Sequence, residues 1–154
     1  YPMRDLLDAG DGGWMTSYPD QGQRLGLQDI GVHGNGSDLA IVTYGNGHYL
    51  SRQAQADLAA QGLDVRVIDM RWLAPLAEAA IIDAIGDRPA LIVDECRRTG
   101  GQAEAVMALM KERGIARFAR LTAEDSFIAT GPAYAATLPS REAIVAASLA
   151  LLGD

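Results

Sequence analysis

From Asp38 onward, short apolar runs alternate with stretches of helical period. Leu39-Ala40-Ile41-Val42-Thr43-Tyr44 is a continuous apolar run, the pattern of a strand buried on both faces, and Gly45-Asn46-Gly47 ends it. Over residues 48–61, Leu50, Ala54 and Leu58 share one helical stripe, and Gly62 is the expected stop. Residues 65–70 predict a second strand. Pro75 then opens a helix over 77–85 that turns Ile81, Ile82 and Ile85 inward. Residues 90–94 predict a third buried strand, and Gly100-Gly101 leads into a helix ended by Gly114. In that helix Ala103, Val106, Met107 and Met110 keep the i, i+3, i+4, i+7 spacing. Residues 118–122 predict a fourth strand, before a Gly/Pro-punctuated loop over 123–139. Ser140 is a good N-cap for a last helix burying Ile144, Val145, Leu149 and Leu152.

This alternation implies an α/β fold of three layers. A mostly parallel sheet of about five strands lies between helices on both faces, joined by right-handed crossovers. Residues 1–36 differ from the rest of the chain. Asp8-Ala9-Gly10-Asp11-Gly12-Gly13 and Tyr18-Pro19-Asp20-Gln21-Gly22 are rich in turn formers without apolar period, so residues 1–36 read as a linker or arm and 37–154 as the domain. Within the arm, Ile30-Gly31-Val32-His33 predicts one antiparallel edge strand, with Gly34-Asn35-Gly36 turning the chain back as a hairpin.

Composition narrows the function classes. A chain of 154 residues with 49% apolar and 21% charged residues fits one globular domain with a sizeable core. A net charge of −7 argues against a nucleic-acid footprint, which requires clustered Lys and Arg. Cys96 is the single cysteine, which excludes an internal disulfide and a cysteine-rich zinc site and fits a reducing cytoplasm. No run approaches the roughly 18 apolar residues of a membrane span, and no basic-then-apolar leader opens the chain. Tyr1 in place of Met suggests a fragment or processed product, and an artificial boundary of the sequence fits equally well.

Three places could carry chemistry. Gly45-Asn46-Gly47 sits between a strand and a helix, where doubly wound sheets bind phosphates, but it lacks the third glycine of a dinucleotide fingerprint and the lysine of a P-loop. A tight turn is the simpler reading. The most concentrated polar cluster is Asp94-Glu95 with Arg97-Arg98-Thr99-Gly100-Gly101 after it. It could be a ligand site at a strand's carboxyl end, a loop of mutually neutralising charges, or a subunit interface. With no nucleophile and base beside it, the interface ranks first and catalysis last. His33 and His48 are the only histidines, and neither has a carboxylate or serine at a recognisable spacing, which speaks against a triad or a metal site. Cys96 at a strand end is filler more often than it is a reactive thiol.

Four blocks in order bring a known family into view. Gly36-Ser37-Asp38-Leu39-Ala40-Ile41-Val42-Thr43-Tyr44-Gly45 resembles the opening of the C-terminal domain of the transketolase superfamily, above all in the beta subunit of 2-oxo acid dehydrogenases. Val67-Ile68-Asp69-Met70-Arg71-Trp72-Leu73-Ala74-Pro75-Leu76 is similar to its second-strand block. Val93-Asp94-Glu95 with Arg98-Thr99-Gly100-Gly101 resembles its acidic strand end and glycine pair, and Asp125-Ser126-Phe127-Ile128 with Leu138-Pro139-Ser140 resembles its last loop and helix start. The arm from Met3-Arg4-Asp5-Leu6-Leu7 to Tyr18-Pro19 resembles the segment joining the middle and C-terminal domains, in the form found where both subunits are fused. Cys96 and Trp72 are the least familiar residues in their blocks.

The resemblance implies the C-terminal domain of a component that decarboxylates a 2-oxo acid on thiamine diphosphate with magnesium and passes the acyl group to a lipoyl arm. It assigns the cofactor and catalytic residues to the preceding domains, so this domain is expected to be non-catalytic and to bind no cofactor itself. Gly10-Asp11-Gly12 looks like the diphosphate motif of thiamine enzymes, but no Asn pair comes after it and no buried strand precedes it, so it reads as a decoy. The expected role is assembly: contact with the other domains or subunits, self-association, and docking of the acyltransferase core. Asp94, Glu95, Arg97, Arg98, Glu104, Glu112 and Asp125 are the candidate contact residues, with Glu104, Glu112 and Asp125 offered to a basic partner. Two alternatives stand: the C-terminal domain of a transketolase or deoxyxylulose-phosphate synthase, and a stand-alone flavodoxin-like interaction or ligand-binding module.

Overall fold

The computed structural model describes residues 20–153. The arm motifs before residue 20, Gly10-Asp11-Gly12 among them, lie outside the described residues. Five strands form one sheet: β1 (Gly31–His33), β2 (Leu39–Thr43), β3 (Val65–Asp69), β4 (Ala90–Arg97) and β5 (Phe118–Ala123). Their spatial order is β1-β3-β2-β4-β5; the last four are parallel and β1 is antiparallel to β3. The α-helices are α1 (Gly45–Ala60), α2 (Glu78–Ile85), α3 (Gln102–Glu112) and α4 (Arg141–Gly153), with a 3-10 helix at Gly131–Ala136 before the last. The expected three-layer, mostly parallel sheet with one antiparallel edge strand is what the chain forms.

Strand alternation builds the layers. Leu39 and Ile41 point to one face, where Leu50, Ala54 and Leu58 of α1 and Ile144 and Leu151 of α4 cover them. Ala40 and Val42 point to the other, under Ile81 and Ile85 of α2 and Ala103, Val106 and Met110 of α3. With helices on both sides, all five residues of β2 are fully buried. Ser140 caps α4 as predicted, its Oγ accepting the Ala143 N–H at 3.1 Å.

Several local expectations need correcting. The arm strand forms no hairpin with its successor: both edges of β2 are taken by β3 and β4, so β1 joins the free edge of β3. α1 begins at Gly45 rather than His48, because Gly45 takes φ +55° and the helix starts directly from the strand end. β4 runs on to Arg97 through a register shift after Asp94, so Glu95 and Cys96 are strand residues. In α4, Ser148 and Leu151 are buried and Leu149 is exposed. Within Pro132–Gly153 an 18-residue stretch has a mean hydropathy of 1.3 and meets the length and composition of a membrane span, against the expectation that no run would. The segment is two helices in this fold, separated at Thr137-Leu138-Pro139-Ser140, and 22% of that stretch is buried.

Candidate functional site

The order of strands reverses between β2 and β4: the chain leaves β2 for β3 on one side and leaves β4 for β5 on the other. Doubly wound sheets bind ligands at this switch point, outside the carboxyl ends of the strands. Here Tyr44-Gly45-Asn46-Gly47 enters α1 beside Asp94 and Glu95 of β4. Gly47 is required by packing, since a Cβ there would run into Thr43 Oγ1.

Glu95 places a carboxylate at the start of α1. Its carboxylate accepts hydrogen bonds from the side chain and the backbone N–H of Asn46 in the first turn of α1. Burial raises its pKa, and those hydrogen bonds oppose the rise. A Cβ on Gly45 would stand 2.9 Å from Glu95 Oε1, so the glycine lets the carboxylate close over the helix end. The remaining cavity, lined by Gly47, Leu50, Val93, Leu138 and Pro139 among others, holds about 10 Å³, room for roughly one water and for no organic ligand.

Asp94 is fully buried and entirely engaged within the fold. Its Oδ1 accepts from Tyr44 Oη at 2.5 Å and from the Cys96 N–H at 2.8 Å, and its Oδ2 accepts from the Ala103 N–H at 2.7 Å. It therefore ties β2, the β4 bulge and the start of α3 together and has no free surface for a partner, which corrects its place among the contact residues. Burial, and after it the hydrogen bond to Asp94, push the Tyr44 hydroxyl well above its ordinary pKa. The picture of mutually neutralising charges also fails: among the described residues, neither Asp94 nor Glu95 forms an ion pair with Arg97 or Arg98. Both arginines are exposed.

Asp125 is exposed but turned inward to the glycine-pair loop. It accepts from Thr99 N–H at 2.8 Å and Thr99 Oγ at 2.6 Å, and these bonds lower its pKa. Glu104 lies 4.0 Å from Arg120, while Glu112 ends α3 in solvent. Beside the arginines, Phe127 is 96% exposed and Ile128 is partly so, lining an open depression with Glu95, Cys96, Arg97 and Gly100.

Some of these partnerships have no signal in the local sequence. Tyr44 reads only as the end of an apolar run, and Asn46 and Thr99 only as turn residues. No spacing links Tyr44 to Asp94 or Thr99 to Asp125, since both pairs form through the sheet. The two histidines also meet: their ring centroids lie 4.8 Å apart, between β1 and α1. Among the described residues no group of three or more His, Cys, Asp or Glu could hold a metal ion.

Comparison with known proteins agrees with this geometry. Residues 28–144 match the family described as transketolase, C-terminal domain. Pyruvate dehydrogenase E1 component subunit beta of Staphylococcus aureus is 29% identical over 132 residues, covering 82% of this chain and 41% of that protein. The same subunit of Bacillus subtilis is 28% identical over the same length. The chain thus spans about two-fifths of the length of these relatives. Among solved structures, a split-gene transketolase described as an inactive beta4 tetramer superposes with a TM-score of 0.75 at 22% identity, over 85% of this chain and 44% of that one. A 2-oxoglutarate:ferredoxin oxidoreductase from Magnetococcus marinus gives 0.62 at 18% identity, over 82% and 20%. At those identities the structural likeness shows the fold.

Proposed function

Because the chain belongs to the transketolase C-terminal domain family, we propose that it is the C-terminal domain of the decarboxylating component of a 2-oxo acid dehydrogenase, as a beta subunit or as part of a fused chain. The observation that carries this is the match to pyruvate dehydrogenase E1 beta subunits along 132 residues. In this reading the parent enzyme decarboxylates a 2-oxo acid in the cytoplasm, thiamine diphosphate with magnesium supplies the carbanion chemistry, and the acyl group passes to a lipoyl arm.

The residues described here do not fit that cofactor. At the switch point a diphosphate would meet the Glu95 carboxylate already seated on α1, in a cavity of about 10 Å³, and no acidic cluster offers a metal site. The domain's own role is therefore assembly. Support comes from apolar surface in the wrong place for a lone domain: Phe127, Ile128 and the outer face of α4 with Leu149 are exposed. Arg97, Arg98, Glu104 and Glu112 are the charged residues left to other domains, to a second copy or to a lipoyl acyltransferase core.

Assaying the full gene product tests the reading. We expect thiamine-dependent decarboxylation of a 2-oxo acid with an artificial electron acceptor, and no ketol transfer between sugar phosphates. Ketol transfer in place of decarboxylation would move the parent to the transketolases. Reversing Glu104 and Glu112 to Lys should weaken acyltransferase capture by the full gene product, and unchanged capture would remove these residues from the docking surface.

A further inference from the structure

A second collection of titratable groups lies at the β1 edge of the sheet. His33 ends β1 and His48 sits in the first turn of α1, with the rings tilted 31° to each other at 4.8 Å between centroids. Arg52 comes four residues after His48 and so stands one turn further along the same face of α1. Arg71 arrives from beyond β3: a Cβ built on Gly31 would lie 2.9 Å from its Nη2. Gly31 and His33 are two apart on one strand, so that guanidinium occupies the sheet face toward which His33 points. Four basic side chains thus converge from β1, α1 and the loop after β3. They do so in a chain whose net charge is −7.

The surroundings do not neutralise them. Asp69, at the end of β3, is the one carboxylate that acts on both rings, and it lies 3.5 Å from Arg71. Tyr49 contributes a ring 5.3 Å from His48. Arg52 is exposed and makes no ion pair among the described residues. The Nε2 atoms of both histidines are buried without a partner. With neutral rings the cluster carries one net positive charge, and with both rings protonated it carries three.

Burial and the two arginines hold both histidines below their ordinary pKa, with Asp69 opposing. Burial is the largest cause in both rings, and Asp69 supplies the negative charge that opposes it. The backbone around the cluster is fixed: Gln55 of α1 donates to the His33 carbonyl at 3.2 Å and to the Val65 carbonyl at 2.6 Å, holding β1 against α1. The backbone that carries His33 is therefore held in place against the helix that carries His48 and Arg52.

We propose that His33, His48, Arg52 and Arg71 form a binding site for a small oxyanion, a phosphate or carboxylate group, at the β1 edge of the domain. Binding is linked to protons: the anion favours the imidazolium forms, so it raises the histidine pKa values and binds more tightly as pH falls through their range. The site adjoins the Gly45–Gly47 turn through His48 and takes its other members from β1 and the loop after β3.

His33 and His48 are the only histidines in the chain, so their two imidazole C2–H resonances can be tracked directly by proton NMR. The probes are inorganic phosphate and malonate, each compared with sodium chloride at matched ionic strength. We expect phosphate, malonate or both to shift the two resonances saturably, with affinity at about pH 6 roughly fivefold or more above that at about pH 8. Response to one oxyanion alone identifies its class. Arg52→Gln should weaken binding about fivefold or more while leaving the thermal midpoint in place, because Arg52 supports no other element. Equal shifts with chloride, shifts that do not saturate, or unchanged affinity in Arg52→Gln would overturn the proposal.

Discussion

At Asp94 a carboxylate out of contact with water gathers three donors, the Tyr44 hydroxyl and the N–H groups of Cys96 and Ala103. Replacing it with alanine would strand two backbone donors, each costing about 1–3 kcal/mol when left unpaired. We expect Asp94→Ala to lower unfolding free energy by about 2–5 kcal/mol, and Tyr44→Phe, which removes a single donor, by about 1 kcal/mol in urea titrations. A loss for Asp94→Ala no greater than that for Tyr44→Phe would contradict the assigned role. Gly47 makes a second residue-scale test. Its Cβ position collides with Thr43 Oγ1, so Gly47→Ala should cost about 1–3 kcal/mol and Thr43→Ala in the same chain should recover part of that. Strict additivity of the two changes would place the strain elsewhere.

At the scale of elements, apolar period and punctuation carry most of the fold. β2 and the first part of β4 are legible because continuous apolar runs bury both faces, β3 and β5 because short, largely apolar stretches recur between helical ones, and α3 because its stripe keeps helical spacing. The errors fall where a neighbouring element decides. The β1 partner depends on which sheet edge is free, and the extension of β4 depends on a bulge opposite β5. The inner face of α4 is obscured because a helix apolar on every side has no unique stripe, which lets Leu149 pass for a core residue while Ser148 is buried. Ser148 is satisfied by donating to the Ile144 carbonyl at 2.7 Å. The α4 cap is legible and offers a clean check: Ser140→Ala should cost about 1 kcal/mol by thermal or urea unfolding, and no loss would mean the helix end is held by packing alone. Of the candidate contact residues, the strand-end cluster is visible in the sequence as a concentration of charge. Its division into inward carboxylates and outward arginines comes only with the sheet.

For the whole molecule, titration of the half-buried groups sets how stability varies with pH. His33 and His48 are held below their ordinary value of 6.5, so the unfolded chain takes up protons first as pH falls through that value. Their contribution is complete above that point and is lost on acidification. Glu95 works in the other direction: its pKa is raised above 4.5, so protonation relieves its burial as pH falls. Glu95→Gln removes the opposing contribution, and its urea midpoint should therefore drop more steeply than that of the parent chain between about pH 7 and pH 5. Parallel profiles would show that one of these groups is not sensed by folding.

At the same scale stands the central claim, that a domain of this family supports a thiamine-dependent enzyme without holding its cofactor. Glu95 is the focus of that claim, because its carboxylate already takes the side-chain and backbone donors of Asn46 at the start of α1. The direct test is calorimetric titration of the 154-residue chain with thiamine diphosphate and magnesium. No saturable heat is expected up to millimolar cofactor, and binding with a micromolar dissociation constant would contradict the claim.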